Sequence, residues 1–430
     1  MTGIVSATDA VTNGFVSDTI DLVAYNAALS DEPFEVSKAF HQDPDSRKVN
    51  LGIGVYRSEQ GEPWPLPVVQ KAEEIIHQES DPSRHEYGAI TGDKDFLSAA
   101  RQLVFGLEDD ANRQEFARVT SVQTISGTGA NHLGAMLMAK RFKPTSVWLP
   151  EPTWSNHYTI WDFAGVKCRA YPYYDVNAQM LDFERMNEVL SSQAQRGDVI
   201  VLHACAHNPT GTDPTKDQWN KIAETCQELG LAILFDFAYQ GFATGDVEND
   251  AWAIRHFFRK KPSMNLCVAQ SFSKNFGLYG QRVGACHFAV DSSSIEDSVR
   301  SQLAYLIRAE YSMAPSWGAG IVKRVLLDPG SYRDWKRDLV TMSQRILKMR
   351  NALYSTLIEL ETPGSWEHIL SQVGMFSYTG LSPAQVSLMR QKHHIYMLKS
   401  GRISLSGLQP RNVVYVAKCI DSVVREASTN

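Results

Sequence analysis

Val119-Thr120-Ser121-Val122-Gln123-Thr124-Ile125 runs through Ser126 into Gly127-Thr128-Gly129, and the segment Ala130–Phe142 follows, rich in Ala, Leu and Met. The first run reads as a strand, the glycines as a turn, and the last segment as a helix. Ser146–Leu149 reads as the next strand. Working outward, Val199–Cys205, Leu231–Phe235, Leu266–Phe272 and Val283–Val290 are further short β-rich runs, with helical stretches such as Lys216–Leu229 between them. This alternation predicts an α/β fold with a mostly parallel sheet covered by helices. In such a sheet the carboxyl ends of the strands form the ligand crevice.

The flanks read differently. Upstream, Val68, Ala72, Ile75 and Ile76 share one helical face. Downstream, Trp335, Leu339, Met342, Ile346, Met349, Leu353 and Leu357 step by three or four along a long helix, and the chain turns at Pro363-Gly364 into shorter mixed elements. The expected organisation is an N-terminal arm over 1–30, a small α/β domain from 31–64 and 342–430, and a large domain over 65–341.

The chain has 430 residues, 42 basic and 48 acidic, for a net charge of −6. That balance argues against a general electrostatic grip on nucleic acid. No apolar run approaches the ~18 residues of a membrane helix. No Lys or Arg precedes Lys38, so neither a secretory nor a mitochondrial leader is supported, and Ser428-Thr429-Asn430 is not a peroxisomal address. None of the six cysteines stands at C-x-x-C spacing, which argues against a zinc or redox pair and for reduced thiols. The expected location is the cytoplasm.

Several strand ends carry chemistry. Gln270-Ser271-Phe272-Ser273-Lys274-Asn275-Phe276-Gly277 brings an apolar strand into a lysine behind two hydroxyls. An isolated lysine there is ordinarily solvated; one held in a cleft, with its pKa lowered, can form a Schiff base with a carbonyl. Asp236 is the one charge at the end of its strand, and its carboxylate needs either a capping role or a cation. Tyr239 follows three residues on. His203-Ala204-Cys205-Ala206-His207-Asn208-Pro209-Thr210-Gly211 is turn chemistry, with a cis Asn208-Pro209 bond plausible. Turn chemistry alone does not explain Asn208 and two histidines there.

Gly127-Thr128-Gly129, between a strand and a helix, suits phosphate. It is nearly a dinucleotide fingerprint, with Glu151 at the ribose-binding distance, but His132 fills the third glycine position. Arg282 is a candidate phosphate clamp, Trp154 a candidate platform for a flat ring, and Arg402, beside Gly401, a candidate carboxylate fork.

Together these residues resemble the aspartate aminotransferase family, class I aminotransferases of the fold type I pyridoxal-phosphate enzymes. The resemblance spans roughly 31–425. It also takes in Lys48-Val49-Asn50-Leu51-Gly52, Tyr56-Arg57, Pro63-Trp64-Pro65-Leu66-Pro67, His85-Glu86-Tyr87, Asp250-Ala251-Trp252, Gly374-Met375-Phe376-Ser377 and Ser400-Gly401-Arg402-Ile403. It implies a seven-stranded sheet in the large domain and a homodimer with shared active sites. It also implies pyridoxal 5′-phosphate and reversible transfer of an amino group between L-aspartate and 2-oxoglutarate.

By the same resemblance, Lys274 is the Schiff-base lysine and proton carrier, and Asp236 the partner of the ring nitrogen. Tyr239 and Asn208 are the partners of the ring oxygen, and Trp154 stacks on the ring. Gly127, Thr128, Ser271, Ser273 and Arg282 form the phosphate cup, joined by Tyr87 of a second subunit. Arg402 takes the α-carboxylate, Arg308 crosses the dimer interface to the distal carboxylate, and Gly54 lies near the substrate. No metal is implied. The sequence departs from the family pattern at Met313-Ala314, Gly280-Gln281, Phe237 and Glu151.

Four other readings compete. The same chemistry with broader acceptance of aromatic amino acids is one. A serine hydrolase using the Ser271-x-x-Lys274 pattern is another. A nicotinamide oxidoreductase built on Gly127-Thr128-Gly129 leaves Lys274 and Asp236 without a task, and a non-catalytic binding protein on this scaffold requires that cofactor-loaded protein turn over no amino acid.

Overall fold

The computed structural model describes residues 31–79, 81–106, 115, 117–260, 264–290 and 293–428; the expected arm over 1–30 lies outside them. Seven strands make the principal sheet: β1 (Val119–Ile125), β2 (Val147–Glu151), β3 (Cys168–Pro172), β4 (Val199–His203), β5 (Ala232–Phe237), β6 (Leu266–Ser271) and β7 (Val283–Ala289). Their order is β1-β7-β6-β5-β4-β2-β3. Only β7 runs antiparallel to its neighbours. Every residue of β4, β5, β6 and β7 is buried, as a sheet covered on both faces requires. Alternate residues point into two separate cores: Val201, Leu234 and Cys267 into one, Leu202, Ile233 and Phe235 into the other.

Two expectations are corrected in detail. The helix after β1, α1 (Ser126–Phe142), starts four residues earlier than its apolar pattern indicates, so Gly127-Thr128-Gly129 is its first turn rather than a loop. Strand passes straight into helix at Ser126, whose φ is +59°. The entry is possible because β7 carries Gly284 opposite, where a Cβ would lie 2.6 Å from the Ser126 carbonyl carbon. Strand β3 was not anticipated, because it buries only Tyr171 and so shows no apolar run.

Elsewhere local signals suffice. Helix α2 (Lys216–Leu229) opens on a capping box between Thr215 and Gln218 and stops at Gly230, whose φ is +66°. Two of the later helices are α3 (Ser293–Glu310) and α4 (Pro329–Glu359). In α4 the seven anticipated apolar residues, Trp335 to Leu357, are all buried. Among the described residues three two-stranded sheets lie outside the principal one: Val49–Asn50 pairs with Ile395–Tyr396, Phe376–Tyr378 with Arg402–Ser404, and Tyr174–Asp175 with Met180–Leu181. No helix among the described residues is long and apolar enough to cross a membrane.

Candidate active site

The strand ends converge as a parallel sheet dictates. Asp236 is the next-to-last residue of β5, and Lys274 lies three residues past β6, the adjacent strand. The Lys274 amine stands 5.0 Å from the centre of the Tyr239 ring. Burial draws its pKa down to about 8; the Asp236 charge opposes the shift, and Arg282 and Arg402 add to it. A fraction of the amine is therefore neutral near neutral pH. Burial works against the Asp236 carboxylate as well. Its hydrogen bond with His157 and the nearby charge of Lys274 outweigh burial and hold it below the ordinary carboxylate value.

A buried polar chain stands behind Asp236. Its Oδ2 lies 3.1 Å from His157 Nε2; His157 Nδ1 lies 2.9 Å from Thr153 Oγ1, which lies 3.0 Å from His203 Nε2. The Asn208 amide donates to His203 Nδ1 at 3.4 Å. Burial, with His207 and His157 nearby, keeps His203 well below the usual imidazole range and so neutral. With Nδ1 accepting, the His203 proton belongs on Nε2. The second histidine, His207, stacks on Tyr173 at 3.9 Å and bonds Thr210 at 2.9 Å. The two histidines that turn chemistry left unexplained thus orient Asp236 and pack the loop.

That loop is held from both sides. Asp213 accepts the Ala206 and His207 amides at 2.6 and 2.9 Å, and burial pushes its pKa up to about 6. The Asn208-Pro209 bond is cis. Asn208 Oδ1 accepts from Arg402 Nη1 at 3.1 Å, and Arg402 Nη2 donates to the Gly52 carbonyl at 2.5 Å. The Arg402 guanidinium covers the Phe376 ring at 4.3 Å, and its Nε has no partner. Burial lowers its pKa to about 10. No carboxylate bonds it among the described residues, so a buried fork is free for an incoming anion. At Gly54 a Cβ would lie 2.8 Å from Phe376 Cζ, so only glycine lets the two segments approach this closely.

On the other side of Lys274 lies a set of hydroxyls. Ser126 Oγ lies 2.6 Å from Ser273 Oγ and 3.2 Å from Ser271 Oγ, and Arg282 Nη1 donates to Ser273 Oγ at 3.4 Å. Helix α1 begins there without a side-chain cap or an acid in its first turn, leaving amide donors open. A Cβ on Gly127 would lie 2.8 Å from Ser271 Cβ. Hydroxyls, a guanidinium and open amides with no acid bonded among them suit a phosphate. Ser126 was missed by sequence reading; its place between a strand and Gly127 was the available signal. Ser271 Oγ bonds Ser126 and the Ser273 amide, with no hydrogen bond to Lys274. That leaves the hydrolase reading without an activated nucleophile.

Trp154 follows β2 and meets the His157 ring edge-on at 5.2 Å. Thr128 is exposed at the start of α1. Tyr87 and Arg308 do not join this cluster. They sit together on the surface, where Tyr87 is 93% exposed, beside a cavity of about 310 Å³.

A sheet with a lysine and an aspartate at adjacent strand ends, a phosphate-suited helix start and a free buried guanidinium defines an α/β group-transfer enzyme. The sequence profile of aminotransferase class I and II matches residues 46–420, and the chain belongs to that family; it is a transaminase. It is 52% identical over 401 residues to the L-tyrosine:2-oxoglutarate aminotransferase of Aspergillus ustus, covering 92% of this chain and 77% of that one. The solved aspartate aminotransferase from Saccharomyces cerevisiae cytoplasm superposes with a TM-score of 0.90 at 44% identity, covering 94% of this chain and 98% of that one. The aromatic-amino-acid aminotransferase of Burkholderia pseudomallei, solved covalently bound to pyridoxal phosphate, superposes at 0.88 with 37% identity, covering 93% and 98%.

Proposed function

We propose that this chain transfers the amino group reversibly between L-aspartate and 2-oxoglutarate, giving oxaloacetate and L-glutamate, with pyridoxal 5′-phosphate held beside Lys274. The observation that carries the reading is a buried amine of depressed pKa next to a buried, ionised Asp236. Bound pyridoxal phosphate supplies an aldehyde that condenses with amines and a ring that accepts electrons.

The residues present fit that group. Ser271, Ser273, Arg282, Gly127 and Thr128 would hold its phosphate, with Ser126 bridging the serines. Asp236, kept ionised through His157, would hold a proton on the ring nitrogen. Asn208 and Tyr239 would bond the ring oxygen, and Trp154 would cover the ring. Lys274 Nζ is the base placed to take the substrate α-proton and return it. Arg402 would bind the α-carboxylate, and the close contact of Gly54 with Phe376 would exclude water above it. Arg308 and Tyr87, exposed and remote from this cluster, would complete the site of a second copy in a homodimer. Cytoplasmic placement belongs to the same reading, supported by six free cysteines and the yeast relative.

The 52% identity to a tyrosine-using relative favours a second reading, broader acceptance that includes aromatic amino acids. Specificity constants for L-aspartate and L-tyrosine, each with 2-oxoglutarate and cofactor-loaded protein, decide. An excess of tenfold or more for aspartate supports the dicarboxylate reading, parity assigns the broader one, and no turnover with either contradicts both.

A further inference from the structure

The surface cavity of about 310 Å³ is lined by Tyr87, Gly88, Ile90, Arg308, Ser312 and Met313. It sets one cation against an apolar and aromatic wall. Arg308 lies in the last turn of α3, exposed and without an acidic partner among the described residues. The acid nearest in sequence, Glu310, is taken by His132 at 3.1 Å. Arg308 Nη1 donates to Ser312 Oγ, and the rest of its five N–H donors remain available to an anion.

Met313 is held firmly on that wall. Ser312 turns the chain at a φ of +68°. The Ser312 amide reaches the Ile307 carbonyl at 2.8 Å, and the Met313 amide reaches that of Tyr311 at 2.7 Å. Gln123 Nε2 anchors the far side of the turn on the Pro315 carbonyl at 2.7 Å. The Gly88 amide donates to Met313 Sδ at 3.3 Å, and a Cβ on Gly88 would stand 3.3 Å from Met313 Cε. The thioether is thus fixed beside the guanidinium by a neighbour that has no side chain.

We infer that Met313 determines specificity for the substrate side chain, giving aromatic amino acids an apolar wall in the subsite where Arg308 takes the distal carboxylate of the dicarboxylates. The inference rests on the reading above, in which this surface completes a second copy's site. A ring gains from a polarizable sulfur at its edge and from a guanidinium over its face. A carboxylate gains from the guanidinium alone. One cavity therefore serves both classes, and the methionine sets the balance.

The test uses the cofactor-loaded full chain with 2-oxoglutarate as acceptor, and reads the ratio of kcat/KM for L-tyrosine to that for L-aspartate. Met313→Asn is expected to lower the ratio about tenfold or more, within the range of lost apolar contacts in a substrate pocket. Met313→Leu is expected to keep it within about threefold, since the wall stays apolar. Gly88→Ala crowds Met313 Cε and is expected to lower the ratio in the same direction. It carries the test if Met313→Asn fails to fold. An unchanged ratio in Met313→Asn, or in Gly88→Ala where only that variant folds, overturns the inference. So does a wild-type protein that turns over aspartate but not tyrosine. Wild-type protein inactive with both substrates rejects the transaminase substrates proposed above instead.

Discussion

At the scale of single residues, the site is a set of charges placed where water cannot neutralise them. Lys274 loses proton affinity through burial, Asp236 keeps its charge through His157, and Arg402 stays buried with one nitrogen unbonded. Each arrangement carries an energetic penalty on its own and suits a partner that arrives from outside. The Lys274 value gives a prediction with a definite sign. Only the neutral amine attacks an aldehyde, and the folded pKa, about 8, lies below the ordinary lysine value of 10.5. Covalent capture of pyridoxal phosphate by apoprotein, followed by stopped-flow absorbance, should therefore quicken about tenfold per pH unit below 8 and level off above it. A rise that continues to pH 10 would mean that the lysine is not desolvated.

At the scale of elements, the sequence was legible where a signal is local. The capping box at Thr215 and the glycine at 230 fix α2 at the bounds its pattern gives, and the stripe from Trp335 to Leu357 gives the buried face of α4. The β1 bounds came from its own residues. What was not legible depends on partners distant in sequence. The early start of α1 needs Gly284 on β7, 158 positions after Ser126. Edge strand β3 has no apolar run, because only Tyr171 of its residues is buried. Of the site, Lys274, Asp236, Asn208 and Arg402 could be picked out because each is a polar residue at a strand end or beside a glycine. The tasks of Thr153 and His157 could not, since they act through side chains brought in from other strands.

At the scale of the whole molecule, the proposed reading has one chain carry the Lys274 cluster and, elsewhere, groups that complete the site of a second copy. Tyr87 and Arg308 lie on an exposed surface away from the Lys274 cluster, which makes sense if each copy lends them to its partner. Mixing Lys274→Ala with Arg308→Asp protein should then restore aspartate turnover to about a quarter of the wild-type level, because half the dimers are hybrids with one native site each. Mixtures no more active than their components would place Arg308 in the site of its own chain. The central claim concerns the amine at 274. Borohydride reduction of cofactor-loaded protein, followed by digestion and mass spectrometry, should find the pyridoxyl group on the peptide containing Lys274. A label on another lysine, or none on protein that turns over its substrates, would contradict the account.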